Sequence, residues 1–125
     1  MVQAAARHDE QDLALAIRLG SSRRPEQAYG HYFEGSRRSC ALGAAYEGVY
    51  RLPAEVGGVR PIHLERLFGC LETTMRSCPE GCRKRLPLAA IIVHLNDDHH
   101  WTRAQIASWV EAVPEIRATS GPPSP

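Results

Sequence analysis

Apolar residues recur at helical spacing in five stretches of the chain, separated by polar segments that contain glycine or proline. One stretch places Leu13, Ala16 and Ile17 on a single face, and another does so with Ile106 and Val110. This repeat is typical of amphipathic helices, whereas the two-residue alternation of strands is weak throughout. The pattern predicts an all-α fold of about five helices. The predicted helices cover residues 9–20, 40–50, 61–77, 88–95 and 102–113, with a further short helix over 25–29.

Cap and turn residues set the predicted ends of these helices. Ser39 suits the N-cap of the second long helix, because its hydroxyl can accept a hydrogen bond from a free backbone amide. Thr102 and Gln105 match a capping box at the start of the last helix. Tyr32 and Phe33 lie between glycines in a predicted turn or short extended segment, where we expect their rings to pack.

The second long helix is rich in small residues, among them Gly43, Ala44 and Gly48. Each glycine costs a helix about 1 kcal/mol relative to alanine. We expect the close approach of a neighbouring helix to offset this cost.

The length of 125 residues fits one domain with its own core. Residues 1–8 are predicted to form a flexible leader, and residues 9–116 the helical domain. Residues 117–125 are rich in proline and serine and are predicted to be a disordered tail.

Composition narrows the possible partners and location. The chain is 43% hydrophobic and 23% charged, with a formal net charge of +1, so no overall field favours nucleic acid or a membrane surface. No apolar run approaches the roughly 18 residues of a membrane span, and the first residues lack a secretory signal pattern. We therefore expect a cytoplasmic protein without membrane contact. Its four cysteines would be reduced, which favours metal binding or burial over disulfides.

Two cysteines and two histidines follow one another at a spacing that is close to that of a Cys2His2 zinc site. Three residues separate Cys78 from Cys82, eleven separate Cys82 from His94, and four separate His94 from His99. Zinc prefers four thiolate or imidazole ligands in a tetrahedron, and a cysteine loop followed by a helix can supply them. These four residues are the predicted zinc ligands, and His100 is an alternative fourth ligand.

Each of these residues also has a simpler interpretation. A histidine on an apolar helix, such as His94, is commonly a hydrogen-bonded core residue. His99 and His100 follow two aspartates and would ordinarily lie at the surface. Cys78 and Cys82 could be thiols that bind no metal, or a redox or disulfide pair. The combination of all four residues favours the metal.

The stretch from Cys78 to His99 resembles a Cys2His2 zinc finger, with Leu86 and Ile91 at positions comparable to the apolar pair of such fingers. That resemblance implies a closed, structural zinc site.

Three segments together resemble an uncharacterised family of small bacterial and phage proteins. They are Cys40 to Ala44, the cysteine loop from Cys78 to Cys82, and the His-Leu-Asn-Asp-x-His-x-Trp ending over His94 to Arg103. The family has no known activity, so this resemblance implies no function.

The sequence favours a protein-interaction module built around a structural zinc site, with an unknown partner. The alternative is a nucleic-acid-binding protein that uses helices 88–95 and 102–113 as a helix-turn-helix, with Arg103 and Gln105 as contacts. The first of these helices is almost wholly apolar, so it is unsuited to read bases directly.

An enzyme is the least favoured interpretation. The chain contains neither the His-Glu-x-x-His motif of metalloproteases nor a Cys-x-x-Cys redox motif. Asp97 and Asp98 are more simply explained as partners of a histidine, or as a helix stop, than as catalytic bases.

Overall fold

The computed structural model describes residues 2–52 and 60–112 of the chain. Within those ranges, five α-helices are accompanied by two small β-sheets. The helices are α1 Val2–Arg23, α2 Ala41–Val49, α3 Arg60–Thr73, α4 Leu88–Asp97 and α5 Arg103–Glu111. The strands are β1 Glu26–Gln27, β2 Phe33–Glu34, β3 Arg38–Ser39, β4 Met75–Ser77 and β5 Arg85–Pro87. The fold is mainly helical, as predicted, but the purely all-α class is wrong because of the two sheets.

The second sheet is a hairpin that leads directly into a helix. Strands β4 and β5 pair antiparallel, with Ser77 opposite Arg85, and Leu88 begins α4 immediately after β5. The first sheet has the order β1-β3-β2, with β1 parallel and β2 antiparallel to β3. The hairpin and α4 therefore follow the ββα order of a zinc finger, within a larger helical domain.

Aliphatic side chains from all five helices fill the core, in which α1 lies against α2 and α5. The faces predicted from Leu13, Ala16 and Ile17, and from Ile106 and Val110, are confirmed as fully buried. The largest buried aliphatic side chains are Leu13, Ile17, Val49, Leu67, Leu71, Leu88, Ile91, Ile92, Leu95, Ile106 and Val110. Cys78 belongs to this core, and Cys82 and Leu86 of the hairpin pack against it.

Close contact between α1 and α2 depends on small residues, as the sequence predicted. Gly48 on α2 lies directly against the backbone of Ala16 on α1. A Cβ atom at position 48 would lie 1.8 Å from the Ala16 carbonyl oxygen. The absence of a side chain at Gly48 therefore sets the separation of the two helices.

Two local predictions between α1 and α2 are wrong. The short helix over 25–29 is replaced by β1, because the Glu26 amide donates to the Arg37 carbonyl in a ladder that links distant residues. The N-cap of α2 is Cys40 and not Ser39, since the Cys40 Sγ accepts from the Gly43 amide at 3.3 Å. The apolar pattern of the neighbouring residues does not distinguish a strand from a short helix over 25–29, or Cys40 from Ser39 as the N-cap.

Helix α1 begins at Val2, earlier than the predicted start at Asp9, and thus includes residues that were expected to form a leader. Three consecutive alanines precede Asp9, and alanine has the highest helix propensity. The predicted helix over 61–77 ends at Thr73, where β4 takes over. No helix of the described ranges is both long and apolar enough to cross a membrane. The predicted tail, residues 117–125, lies outside the described residues, as does the end of the predicted domain.

A buried arginine holds the hairpin against the helices. Arg76 of β4 is 1% exposed and forms an ion pair of 2.9 Å with Glu10 of α1. Its guanidinium also donates to the carbonyls of Trp109 and Val110 near the end of α5, and it lies over the Trp109 ring at 4.5 Å. These contacts fix the position of the strand that leads into Cys78.

Candidate metal centre

Cys78, Cys82, His94 and His99 converge at one point between the hairpin and the end of α4. Cys78 directly follows β4, and Cys82 lies in the loop between the two strands, three residues before the start of β5. His94 lies in the last turn of α4, and His99 lies just past its end. The four predicted ligands therefore come from two adjacent elements, and the structure brings all four together.

Backbone hydrogen bonds shape the loop that presents the two sulfurs. The Cys78 amide donates to the Lys84 carbonyl at 3.0 Å, and the Glu80 amide points to the Cys78 Sγ at 3.4 Å. Gly81 has φ +93°, a left-handed conformation that favours glycine. The resulting turn places both sulfurs on the side that faces α4.

The ligand atoms are spaced as they would be around one ion. His99 Nε2 lies 3.4 Å from the Cys82 Sγ, 3.6 Å from the Cys78 Sγ and 3.1 Å from His94 Nε2. All four ligand atoms lie within 4.8 Å of one another. Cys78 and His94 are buried, and the other two are partly buried. The group can hold a metal ion.

Hydrogen bonding alone does not account for this convergence. The His94 Nδ1 faces the Asp98 Oδ2 at 2.7 Å, so a neutral His94 that donates there carries a lone pair on Nε2. The His99 Nε2 has three ligand atoms within 3.6 Å, but it carries at most one proton to donate. A shared cation satisfies all of these lone pairs at once.

Asp98 fixes the orientation of His94, and its loss should weaken metal binding. A carboxylate that accepts from the outer nitrogen of a ligand histidine sets its tautomer and increases its basicity. Asp98→Ala is expected to raise the metal Kd by about 10- to 100-fold. Competition with a chromophoric chelator measures this change.

Asp97→Asn is the matched control, because it removes the same charge one residue away. The Asp97 carboxylate accepts from the Gly30 amide, and an asparagine oxygen can do the same. Equal losses of affinity in the two variants would show that only the general charge matters.

Metal binding should weaken as the pH falls. Burial, together with the neighbouring Cys78 sulfur, raises the pKa of the Cys82 thiol above its ordinary value. The thiol therefore keeps its proton at neutral pH until a metal displaces it. Displacement of the Cys82 proton raises the apparent Kd by about tenfold for each pH unit of acidification. Chelator competition at several pH values measures the slope, and a constant Kd would contradict the mechanism.

The alternative ligand, His100, lies outside the group. Its backbone has φ +55°, and its ring stacks on Tyr29 with centroids 4.6 Å apart. The other two cysteines are also separate, and burial raises the pKa of both the Cys40 and the Cys70 thiol. Among the described residues, the metal group thus consists of the four predicted ligands.

Two supporting interactions were not predicted from the sequence. The Trp101 indole nitrogen donates to the Glu80 Oε2 at 2.6 Å, which joins the cysteine loop to the segment after His99. Asn96 is fully buried, and its side chain bonds to Gln27, to the Ala41 amide and to the Ala28 carbonyl. The position of a single asparagine after the apolar run of α4 was the feature of the sequence that could have indicated the buried Asn96.

The residues proposed to contact nucleic acid are engaged within the protein. Arg103 is 8% exposed, and its guanidinium donates to the Arg24 carbonyl and to the Ser39 hydroxyl. A guanidinium that is buried and hydrogen-bonded in this way is not accessible to a phosphate group. The Gln105 side chain accepts from the Thr102 amide, which confirms the predicted capping box. The nucleic-acid alternative stays a prediction, but without Arg103 as a contact.

No family model matches the chain, and neither a curated protein nor a solved structure matches it. The resemblance to a bacterial and phage family therefore stays a prediction.

Proposed function

We propose that Cys78, Cys82, His94 and His99 bind one Zn²⁺ ion, and that the protein is a zinc-stabilised interaction domain without catalytic activity. The observation that carries this proposal is the convergence of two sulfurs and two imidazole nitrogens on one point. The proposal of a zinc site does not depend on which partner the domain binds.

The spacing of the ligand atoms supports zinc. Bond lengths of about 2.3 Å to sulfur and about 2.05 Å to nitrogen give tetrahedral edges of about 3.6 Å between sulfur and nitrogen. The same geometry gives about 3.3 Å between two nitrogens. The sulfur-to-nitrogen distances of 3.4 and 3.6 Å and the nitrogen-to-nitrogen distance of 3.1 Å lie close to these values. Calcium and magnesium prefer oxygen ligands, so this donor set argues against them.

A structural role follows from the number of protein ligands. Four protein ligands complete a tetrahedron, which leaves no open position for water or substrate. The ion would connect the hairpin loop to the end of α4 and to the segment that follows. Two thiolate ligands also require a reduced site, in keeping with the expected cytoplasmic location.

Metal content is the direct test. Elemental mass spectrometry of untagged protein should give about one zinc per chain, as a single four-ligand site requires. A thiol titration on the same sample should find that Cys78 and Cys82 become reactive only after a chelator is added, whereas burial protects Cys40 with or without metal. Protein without metal whose Cys78 and Cys82 react before chelator is added would overturn the proposal, and so would an oxygen-preferring metal in place of zinc.

A further inference from the structure

The tyrosine and phenylalanine residues of this chain all lie outside its core. The chain contains four tyrosines and two phenylalanines, and the buried hydrophobic residues of the described ranges are aliphatic residues and cysteines. Aromatic side chains normally supply much of the buried area of a core. Tyr29, Tyr32, Phe33 and Tyr50 are 42–64% exposed, whereas Tyr46 and Phe68 are partly buried. Tyr32 and Phe33, whose rings were expected to pack, do so at the surface, Tyr32 against the Tyr46 ring and Phe33 against the Arg24 guanidinium.

Most of these rings form one continuous surface. Tyr46 contacts Tyr32 edge-to-face at 5.8 Å between centroids, and Phe68 at 5.9 Å. An open groove of about 470 Å³ is lined by Tyr32 and Phe33, and a second groove of about 320 Å³ is lined by Tyr46, Tyr50 and Phe68. We refer to Tyr32, Phe33, Tyr46, Tyr50 and Phe68 as the aromatic surface. Exposed apolar area of this kind marks interaction sites.

Among the residues whose side chains the structure describes, the charged residues that line the two grooves are acidic. Asp97 and His31 line the first groove and Glu72 lines the second, and no arginine or lysine of that part of the chain lines either groove. Arg24 lies over the Phe33 ring and is already paired with Glu47 at 2.9 Å. Carboxylates in aromatic grooves repel phosphates and attract cationic side chains.

We propose that the aromatic surface binds an extended, proline-rich peptide segment that carries lysine or arginine, supplied by a partner protein. Proline rings pack against aromatic side chains, and a polyproline II segment offers carbonyl oxygens to tyrosine hydroxyls. Six residues in that conformation span about 19 Å, longer than the two ring-to-ring steps of the aromatic surface combined. Asp97 and Glu72 would pair with the basic residues. This inference rests on the proposed function as an interaction domain.

Fluorescence anisotropy with full-length, zinc-loaded protein tests the chemistry of the partner. The probe is a fluorescein-labelled twelve-residue peptide of four Arg-Pro-Pro repeats, and it should bind with a micromolar Kd. Four Glu-Pro-Pro repeats should bind at least about tenfold more weakly because of the charge, and four Arg-Gly-Ser repeats likewise because of the lost proline contacts. Equal binding of all three peptides would overturn the proposal, as would failure of the first to bind.

Paired variants locate the binding site. Tyr50 is 64% exposed, so Tyr50→Ser should leave the fold intact and raise the Kd by about tenfold. Leu15→Ser is its control, since Leu15 is exposed on α1 and lines neither groove. Glu72→Gln should raise the Kd by about three- to tenfold, with Glu65→Gln as the charge-matched control on the same helix. Equal effects within each pair would place binding elsewhere.

Other occupants of the surface give distinct results. A dimer in sedimentation velocity that Tyr50→Ser dissociates would assign the surface to a second copy and overturn the proposal. Tight binding of labelled oligothymidine that competes with the peptide would overturn it as well. Zinc content is measured on the same samples: one zinc per chain without peptide binding overturns the peptide inference alone. Peptide binding by protein that is purified without zinc and takes up none when zinc is added overturns the zinc proposal alone.

Discussion

Replacement of Cys82 by serine is expected to abolish metal binding and to lower the melting temperature by roughly 10–20 °C. Serine is a poor zinc ligand, and three remaining ligands leave the ion exposed to water and chelators. The free energy of metal binding is part of the free energy of folding, and its loss belongs to the most destabilising class of single changes, at about 4 kcal/mol. The core of aliphatic side chains should keep the variant folded near room temperature.

Thermal unfolding followed by circular dichroism, with and without chelator, measures this effect. A chelator should bring the wild-type protein down to the melting temperature of Cys82→Ser and leave the variant unchanged. Cys70→Ser is the control, because Cys70 is partly buried on α3, packs against the core and lies outside the metal group. If Cys70→Ser lost as much stability as Cys82→Ser, the effect would be one of packing and not of metal.

Gly48→Ala is expected to cost about 3 kcal/mol or more, or to prevent folding. The added methyl group would lie 1.8 Å from the carbonyl oxygen of Ala16, so one helix must shift. Both partners in this clash are helix backbone, which cannot rotate away as a flexible side chain can. A shift of α1 would disturb its contacts with both α2 and α5.

Gly69→Ala, the same chemical change at another helix position, is expected to stabilise the protein. A Cβ atom at Gly69 in α3 would meet nothing within 4 Å, so the higher helix propensity of alanine should add about 0.5–1 kcal/mol. Urea unfolding of the two variants measures both effects. A stability near that of the wild-type protein for Gly48→Ala would mean that α1 and α2 are not in such close contact.

The four residues of the candidate site could be predicted because their geometry is local. Cys78 and Cys82 share one loop, and His94 and His99 lie in and just after the single helix that follows the hairpin, so spacing along the chain nearly determines spacing in the structure. The capping box at Thr102 is local for the same reason. The choice between His99 and His100 required the structure, because it depends on a left-handed residue and a ring stack with Tyr29.

The features that sequence reasoning missed depend on contacts between distant residues. Strand β1 exists because its amides pair with β3, and Arg103 is buried because the Arg24 carbonyl and Ser39 surround it. From sequence alone, an arginine in the first turn of a helix is predicted to lie at the surface, because the distant groups that bury it are not apparent. The position of the aromatic rings is likewise set by the packing of α2, α3 and β2.

The anchor at Arg76 has a consequence for the order in which the site assembles. Its ion pair with Glu10 and its hydrogen bonds to the end of α5 hold strand β4 in place without a bound metal ion. A newly folded chain therefore offers a preformed dithiol, and the entropy of bringing the two sulfurs together has largely been lost before metal arrives.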